Sequence, residues 1–349
     1  MLKFDMISRD FIGRIERKVE RKTTISDVAN YVGVSKSTVS QYINGNHQKM
    51  SADTRKRIKN AIQELNYRPS KQAQFLTTRK SNLIGVVVAD ISNMYSSLLL
   101  KGISQYFEHT NYHLIIVEAA NSEIKEQKIL QKLVDQNVEG IIIQPSNDNP
   151  SNYQFIANNH IPMILVDREI EDSPWLSVTT DNEAIVAKLM HSIIKKNYKN
   201  IIVISQPVHR VNTREKRYNT IVDIGNSNKL NIHLIEVDEA HYIDIQQVIK
   251  ITKTGKTAIF ALNGTVLLDT LKLINDSGLN IPDDIGITGF DDFNVTGIIT
   301  PGITSINQPS KLIGATVAQS LDQILNGTPA NKINIPTIIK SQIHWRNSL

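Results

Sequence analysis

The sequence predicts a small all-helical N-terminal unit followed by a two-lobed α/β body built on parallel sheets. Residues 24–65 carry three short helical patterns, and the second and third open with Ser35 and Ser51 at their N-cap positions. From residue 83, continuous apolar runs alternate with helical stretches, which is typical of parallel strands buried on both faces. A second series of the same kind begins near residue 200, so two doubly wound halves follow one another.

The composition is that of an ordinary globular protein. Its 349 residues are 40% hydrophobic and 21% charged, which suggests two or three domains. The absence of cysteine excludes disulfides and thiolate metal sites, and the nine histidines show no paired spacing, so we expect no metal and no cofactor. Because no apolar run approaches about 18 residues and no signal-peptide pattern opens the chain, we expect a cytoplasmic protein without membrane contact.

Positive charge is concentrated at the N-terminal end. Residues 1–80 hold 17 Lys and Arg against 7 Asp and Glu, whereas the remaining residues hold 22 against 27. A basic module on an acidic body is typical of a protein whose small domain meets a phosphate backbone. Residues 1–22 are predicted to be a basic N-terminal extension, for which a solvated tail is the alternative to a contact role.

The first two helical patterns form a helix-turn-helix. Val28 lies on the inner face of the first helix, and Gly33 supplies a sharp turn that favours a residue free to take positive φ. Ser35 is the N-cap of a second helix that buries Val39. A third helix opens at Ser51 with an apolar stripe. An ordinary helical hairpin with a polar surface is the alternative.

The motifs around these helices resemble those of the lactose/galactose repressor (LacI/GalR) family. They are T-I-S-D-V-A-x-x-x-G-V-S-x-S-T-V-S from residue 24, then N-G, S-x-x-T-R-x-R-I and L-N-Y-x-P. The resemblance covers roughly residues 23–349 and implies a DNA-binding headpiece at residues 23–68. It implies DNA contacts from Thr24, Ser35, Lys36, Ser37, Thr38, Ser40, Gln41, Asn44, Thr54, Arg55 and Tyr67. Gln41 departs from the family pattern, in which arginine is common at this base-reading position.

Residues 69–80 are predicted to form a hinge helix. The stretch from Ser70 to Thr78 has fair helix propensity but is shorter than the roughly 12 to 15 residues at which isolated helices become marginal. We therefore expect it to fold only when paired with a second copy on DNA. The resemblance implies that Leu76 pries apart a central base step from the minor groove and that Ala73 contacts the same groove. A plain linker is the alternative.

The body, residues 81–349, is predicted to bind an effector and to dimerise. Ligands of parallel sheets bind outside the carboxyl ends of the strands, where polar residues follow the apolar runs here. The resemblance matches these positions and implies a periplasmic-binding-protein-like body. Its N-lobe comprises about 81–179 and 307–335, and its C-lobe about 180–306 and 336–349. The candidate effector residues are Asp90, Asn93, Tyr95, Ser146, Asp167, Arg168, Arg214, Asn263 and Asp291.

Two positions depart from the family pattern: Arg217 stands where glycine is usual, and Gly264 replaces an acid that normally follows Asn263. The loss of that carboxylate leaves Arg168, Arg214 and a further candidate, Arg210, against Asp90, Asp167 and Asp291, so the predicted pocket is less acidic than the family pattern. Arginine's planar fork suits carboxylate and phosphate oxygens. We therefore predict a small sugar acid or sugar phosphate as effector. A neutral sugar is one alternative, and another is that these arginines form internal ion pairs across the cleft.

The motifs of several common enzyme classes are missing. The chain contains no GxGxxG after the first strand, no GxxxxGK[ST] and no GxSxG, so we expect neither an enzyme nor catalytic residues. The prediction is an allosteric regulator of transcription, a repressor, that binds a palindromic double-stranded operator as a homodimer. The alternative is a small-molecule receptor body without a functional DNA-binding role.

Overall fold

A computed structural model describes residues 23–48, 50–69, 80–237, 242–293 and 295–349. The chain divides into two compact units, with the boundary between Ser81 and Asn82. The predicted extension at residues 1–22 lies outside the described residues, as does most of the predicted hinge helix, including Ala73 and Leu76. Across the described ranges, no helix has both the length and the apolar character needed to cross a membrane.

The headpiece consists of three helices, each started by a side-chain cap. The hydroxyls of Thr24, Ser35 and Ser51 each accept a hydrogen bond from the backbone amide three residues later, at 3.4, 3.1 and 3.1 Å. Gly33 takes φ +73° between the first two helices, as the turn requires. Val39 and Ile58 are fully buried where the helices meet. The helices are α1 (Ile25–Val32), α2 (Lys36–Ile43) and α3 (Ala52–Glu64).

The body contains two six-stranded sheets, one in each lobe. The first runs β11-β5-β4-β3-β1-β2 and the second β12-β10-β9-β8-β6-β7. Every pairing is parallel except that between β10 and β12, so the predicted parallel sheets are confirmed. The strands are β1 (Leu83–Val88), β2 (His113–Glu118), β3 (Gly140–Ile143), β4 (Met163–Val166), β5 (Ser177–Thr180), β6 (Asn200–Ser205), β7 (Asn231–Glu236), β8 (Thr257–Ala261), β9 (Gly286–Phe290), β10 (Thr304–Asn307), β11 (Ile338–Ile339) and β12 (Gln342–His344).

Helices cover both sheets and complete an apolar core on each face. Their ranges are α4 (Met94–Phe107), α5 (Glu123–Asp135), α6 (Gln154–Asn158), α7 (Asn182–Lys195), α8 (Asn212–Ser227), α9 (Ile245–Thr252), α10 (Gly264–Ser277) and α11 (Ser310–Leu325). Short 3₁₀ turns occupy Pro150–Tyr153, Val208–Arg210 and Ala330–Lys332.

Helix α11 returns to the first lobe and packs closely against α4. A Cβ atom at Gly102 would lie 2.1 Å from the backbone oxygen of Lys311, and one at Gly314 would lie 2.2 Å from that of Leu99. Real Cβ atoms do not approach so closely, so both positions need glycine for the helices to touch. This contact places a late segment of the chain in the N-lobe.

The chain crosses between the lobes three times. The crossings lie after Thr180, after Asn307 and after Ile339. Strand β11 pairs with β5 in the first sheet, so the third crossing follows residue 339, whereas the sequence placed it near residue 336. The carboxyl ends of the parallel strands face the cleft between the lobes, which is where ligands of such sheets bind.

Candidate DNA-binding surface and effector cleft

Helix α2 presents the polar side chains that the sequence predicts to contact DNA. Lys36, Ser37 and Gln41 are exposed, and Asn44 is exposed at the end of the helix. Thr38 and Ser40 are half-buried. The hydroxyl of Ser35 lies 2.7 Å from that of Ser37 and 2.8 Å from that of Thr38, so these groups also stabilise the first turn. Their roles in DNA binding remain predictions.

The predicted contacts elsewhere in the headpiece differ in exposure. Thr24 and Arg55 are exposed, whereas Thr54 is half-buried with its hydroxyl 2.9 Å from that of Ser51. Tyr67 is buried in the headpiece core, and burial raises its pKa. The structure therefore gives the Tyr67 ring a packing role that the sequence did not predict.

Two aspartates occupy equivalent positions on the two sides of the cleft. Asp167 follows β4 and Asp291 follows β9, and each adopts φ +66°. Asp167 accepts a hydrogen bond of 2.7 Å from the side-chain amide of Gln144, and Asp291 accepts one of 2.6 Å from that of Gln308. Asp residues tolerate this left-handed backbone conformation better than most. Both carboxylates are thereby held at the carboxyl ends of central strands.

Arg168 and Arg214 bring positive charge from opposite lobes. Arg168 is buried and donates to the Pro145 carbonyl at 2.9 Å and to Asn121 Oδ1 at 2.7 Å, while its Nε has no hydrogen-bond partner. Arg214 is half-buried and donates to Gln206 Oε1 at 2.5 Å. Burial, together with the like charges of Arg168 and other arginines, lowers the pKa of Arg214 to about 9. Its charge is therefore poorly compensated.

Arg217, which the sequence did not put forward as an effector residue, is buried in the same cleft. Its three guanidinium nitrogens donate to Asn182 Oδ1 at 2.7 Å, to the Leu262 carbonyl at 2.7 Å and to Gln308 Oε1 at 3.1 Å. The guanidinium carbon lies 3.6 Å from the centre of the Phe290 ring. Burial lowers the pKa of Arg217, and the nearby Asp291 opposes this effect.

These three arginines make no salt bridge with any residue that the structure describes. Within the described ranges, the hydrogen bonds that they donate go to neutral amide or carbonyl oxygens. The internal ion pairs considered as an alternative are therefore not found for Arg168 and Arg214 among the described residues.

A cavity of about 60 Å³ lies between these groups. Seven predicted effector residues line it: Asn93, Tyr95, Asp167, Arg168, Arg214, Asn263 and Asp291. Five further residues line it that were not on the predicted list: Gln144, Val211, Thr213, Arg217 and Gln308. Gln144 directly follows β3 and Gln308 directly follows β10, so the rule that selected other strand ends applies to them as well.

Two predicted effector residues do not line this cavity. Asp90 accepts hydrogen bonds from the backbone amide and the hydroxyl of Ser92, at 2.8 and 2.6 Å. The backbone amide of Ser146 donates to the buried Glu126 at 2.7 Å. Both contacts shape the loops that follow their strands, so the structure supports a loop-building role for Asp90 and Ser146.

Asn93, Asn263 and Tyr95 all line the cavity, and the two asparagines also cap helices. Asn93 caps α4, and Asn263 caps α10 by accepting from the Val266 amide at 3.0 Å. Tyr95 is buried, and burial raises its pKa well above the usual value, with the charges of Asp167 and Asp291 adding to the effect.

Gly264 has no room for the acid that the family pattern places there. A Cβ atom at this position would lie 2.3 Å from Cε2 of Phe293. The backbone amide of Gly264 instead donates to Asp291 Oδ2 at 3.0 Å. Replacing the acid by glycine therefore removes one negative charge and fills its place with an aromatic ring.

Comparison with known proteins agrees with this architecture. A model described as "Bacterial regulatory proteins, lacI family" matches residues 24–70, and one described as "Periplasmic binding protein-like domain" matches residues 191–349. The HTH-type transcriptional regulator KdgR of Bacillus subtilis (strain 168) is 37% identical over 342 residues, which cover 96% of this chain and 100% of the relative.

Two solved structures illustrate the shared fold. The crystal structure of the lac repressor dimer bound to operator and the anti-inducer ONPF has a TM-score of 0.79 at 22% identity, covering 94% of this chain and 99% of that one. The periplasmic binding protein/LacI transcriptional regulator from Alkaliphilus metalliredigens QYMF, complexed with D-xylulofuranose, has a TM-score of 0.66 at 23% identity, covering 76% and 98%.

The predicted family and fold class are thus confirmed. The headpiece match begins at the residue that caps α1, and the relative from B. subtilis aligns from end to end. The chain belongs to the lacI family of bacterial regulatory proteins and is a DNA-binding transcriptional regulator with a periplasmic-binding-protein-like body.

Proposed function

We propose that this regulator is a homodimeric repressor whose affinity for a palindromic operator is switched by a small sugar acid or sugar phosphate. The observation that carries the effector class is the excess of positive charge in the cleft. Arg168, Arg214 and Arg217 line the cavity together with two carboxylates, Asp167 and Asp291, and none of the three makes a salt bridge within the described chain.

An anionic ligand would offset the electrostatic cost of the buried arginine charges in the cleft. Burying a charged group is unfavourable unless an opposite charge or strong hydrogen bonds replace water. Burial, followed by the charges of Arg168 and Arg217, lowers the pKa of Arg214, whose side chain also donates to the neutral amide oxygen of Gln206. A carboxylate or phosphate would accept two parallel hydrogen bonds from such a fork, whereas a neutral sugar would leave the charge uncompensated.

The rest of the cavity suits a hydroxylated ligand. The carboxylates of Asp167 and Asp291 and the amides of Asn93, Asn263 and Gln308 offer acceptors and donors at its edge. The similar body from A. metalliredigens was solved with D-xylulofuranose, a sugar. We therefore propose a sugar derivative that combines hydroxyl groups with one anionic group.

The operator side of the proposal rests on α2 and on dimer symmetry. Lys36, Ser37 and Gln41 project from one exposed face, as base-reading residues of a recognition helix do. Two headpieces related by a two-fold axis would match a palindrome and double the phosphate contacts. The similar lac repressor was solved as a dimer on its operator. A protein acting on chromosomal DNA in this way would work in the cytoplasm.

A salt titration of DNA binding separates the regulator from a receptor body with a vestigial headpiece. We expect a gel shift with genomic fragments to show one preferred site. Affinity for that site should fall by about a hundredfold or more between 50 and 200 mM salt, because phosphate contacts release counterions. Weak binding without a preferred fragment would favour the alternative hypothesis, a small-molecule receptor whose headpiece has no functional role in DNA binding.

The effector class is tested by screening ligands for thermal stabilisation and operator release. D-gluconate, D-glucuronate and glucose 6-phosphate should include active compounds, whereas glucose should be inactive at the same concentration. Arg214→Ala and Asp291→Asn proteins should retain operator binding and lose the response to the active compound. If only neutral sugars release the operator, the anionic effector is excluded while the regulator function stands.

A further inference from the structure

Arg217 connects two of the three segments that cross between the lobes. Asn182 starts α7 immediately after the first crossing, and Gln308 lies between β10 and α11 within the second. The guanidinium of Arg217 donates to the side-chain oxygens of both, at 2.7 and 3.1 Å. A third bond, to the Leu262 carbonyl at 2.7 Å, anchors it to the end of β8 in the C-lobe.

We infer that Arg217 is a positioning residue that sets the angle between the two lobes by clamping these crossing segments. The inference deepens the proposed function and rests on it in one respect, since the proposed effector cleft is lined by residues of these two lobes. The clamp itself is a property of the protein alone and does not depend on which ligand binds.

The shape of the guanidinium makes this clamp specific for arginine. Arginine presents its donors in a rigid planar fork. Its three hydrogen bonds therefore fix the orientation of the guanidinium and the relative positions of the three acceptors. Phe290 covers one face of the plane at 3.6 Å. A lysine ammonium is a point charge on a flexible stem and cannot reproduce this fork. Removing the group leaves three buried acceptors without their donor, which disfavours the present alignment of the segments.

The clamp is linked to the cavity by one side chain. The amide of Gln308 accepts from Arg217 through Oε1 and donates through Nε2 to Asp291 Oδ1 at 2.6 Å. Asp291 and Arg217 both line the cavity. A ligand that bonds to Asp291 therefore competes with Gln308 and acts on the crossing segment through it.

A second contact between the lobes offers a matched comparison. Lys216, next to Arg217 on α8, forms an ion pair with Glu169 of the N-lobe loop after β4. These side chains are 37% and 32% exposed. Exposed ion pairs contribute little because water screens them. Breaking this pair should therefore leave the angle between the lobes unchanged.

Pulsed electron spin resonance on full-length protein tests the clamp directly. The chain has no cysteine, so Lys132→Cys on α5 and Lys272→Cys on α10, both exposed, provide one spin label in each lobe. The labelled chain is co-refolded with an excess of unlabelled parent, so that a proposed dimer carries one labelled chain, and in the parent we then expect a single narrow distance distribution. Arg217→Met and Arg217→Lys should each broaden it about twofold or shift its maximum, because the lobes gain alternative orientations.

Two control variants test whether the loss of any contact between the lobes, or of any arginine charge, has the same effect as replacing Arg217. Glu169→Gln, which breaks the other ion pair, and Arg210→Gln, which removes an exposed arginine, should both reproduce the parental distribution. A role in stability alone would lower the melting temperature of the Arg217 variants without widening the distribution of the folded protein.

The inference is overturned if the Arg217→Lys and Arg217→Met distributions superimpose on the parent. If neither variant folds, Asn182→Ala and Gln308→Ala, which each remove one acceptor, are measured instead and judged by the same criterion. No ligand is added, so a failure of the clamp is distinguishable from a failure of the proposed effector class.

Discussion

At the scale of one residue, the buried charge of Arg214 is expected to lower the stability of the protein without ligand and to strengthen the binding of an anionic ligand. Its side chain is half-buried, donates to neutral oxygens and has a pKa lowered to about 9 by burial and by other arginines. A group whose charge is disfavoured by folding destabilises the unliganded protein. The same uncompensated charge gives an anionic ligand its largest gain on binding.

Replacing Arg214 should therefore stabilise the unliganded protein while abolishing its response. We expect Arg214→Met to raise the melting temperature by roughly 2 °C, since a buried charge without a partner is removed. Calorimetry and operator-release measurements check both effects, and Lys272→Met, at an exposed position of α10, should change neither. A lower melting temperature together with an intact response would contradict this account of Arg214.

A second prediction at the residue scale concerns Gln41 and the base pair that the protein prefers in its operator. Its side chain is exposed on α2, in the position where the family commonly has arginine. Glutamine pairs best with adenine N6 and N7, whereas arginine pairs best with guanine O6 and N7. We expect Gln41→Arg to shift preference at one position of each half-site from A·T to G·C by about 1–3 kcal/mol. Site selection with both proteins measures this, and an unchanged preference at every position would remove Gln41 from base reading.

At the scale of elements, the contact between α4 and α11 holds the N-lobe together across the second crossing. Gly102→Ala would place a Cβ atom 2.1 Å from a backbone oxygen of α11, which cannot move without shifting the helix. We expect a loss of about 1–3 kcal/mol in the free energy of unfolding, as for other overpacked sites. Denaturant titration measures it. Ser97→Ala, at an exposed position of α4, serves as the control. Equal stability of the two variants would show that the helices tolerate separation.

A further prediction at the scale of elements concerns the predicted hinge helix and its Leu76, which lies outside the described residues. If Leu76 is a minor-groove wedge, Leu76→Ala should reduce specific operator affinity by a few kcal/mol, which is the cost of unstacking that the wedge offsets. Non-specific binding through the basic headpiece should change little. Competition between operator and random DNA separates the two, and specific binding that survives the substitution would refute the wedge.

The whole molecule combines a basic N-terminal module with an acidic body, and its proposed symmetry doubles the basic surface. We expect an operator with one half-site scrambled to bind at least about a hundredfold more weakly than the intact palindrome, because one headpiece then makes only non-specific contacts. Quantitative gel shifts at a fixed salt concentration measure the ratio. Equal affinity for both DNAs would argue against recognition of the operator by a homodimer.

Local signals account for what could be predicted. Ser and Thr caps, the glycine turn and the spacing of apolar residues define α1 to α3, because these features act within a few residues of the chain. The long apolar runs became the central strands for a similar reason, since only burial on both faces suits them. By contrast, β5, β10, β11 and β12 lack such runs and depend on partners distant in sequence.

The sequence by itself determined the headpiece, the family and most of the residues around the cleft, because strand ends are readable from the pattern of apolar runs. Tertiary structure decided which of them share the cavity. Tyr67 enters the headpiece core, and Arg217 reaches across to two crossing segments. These outcomes depend on contacts between residues up to 91 positions apart, and no local pattern encodes which acceptor a buried guanidinium will find.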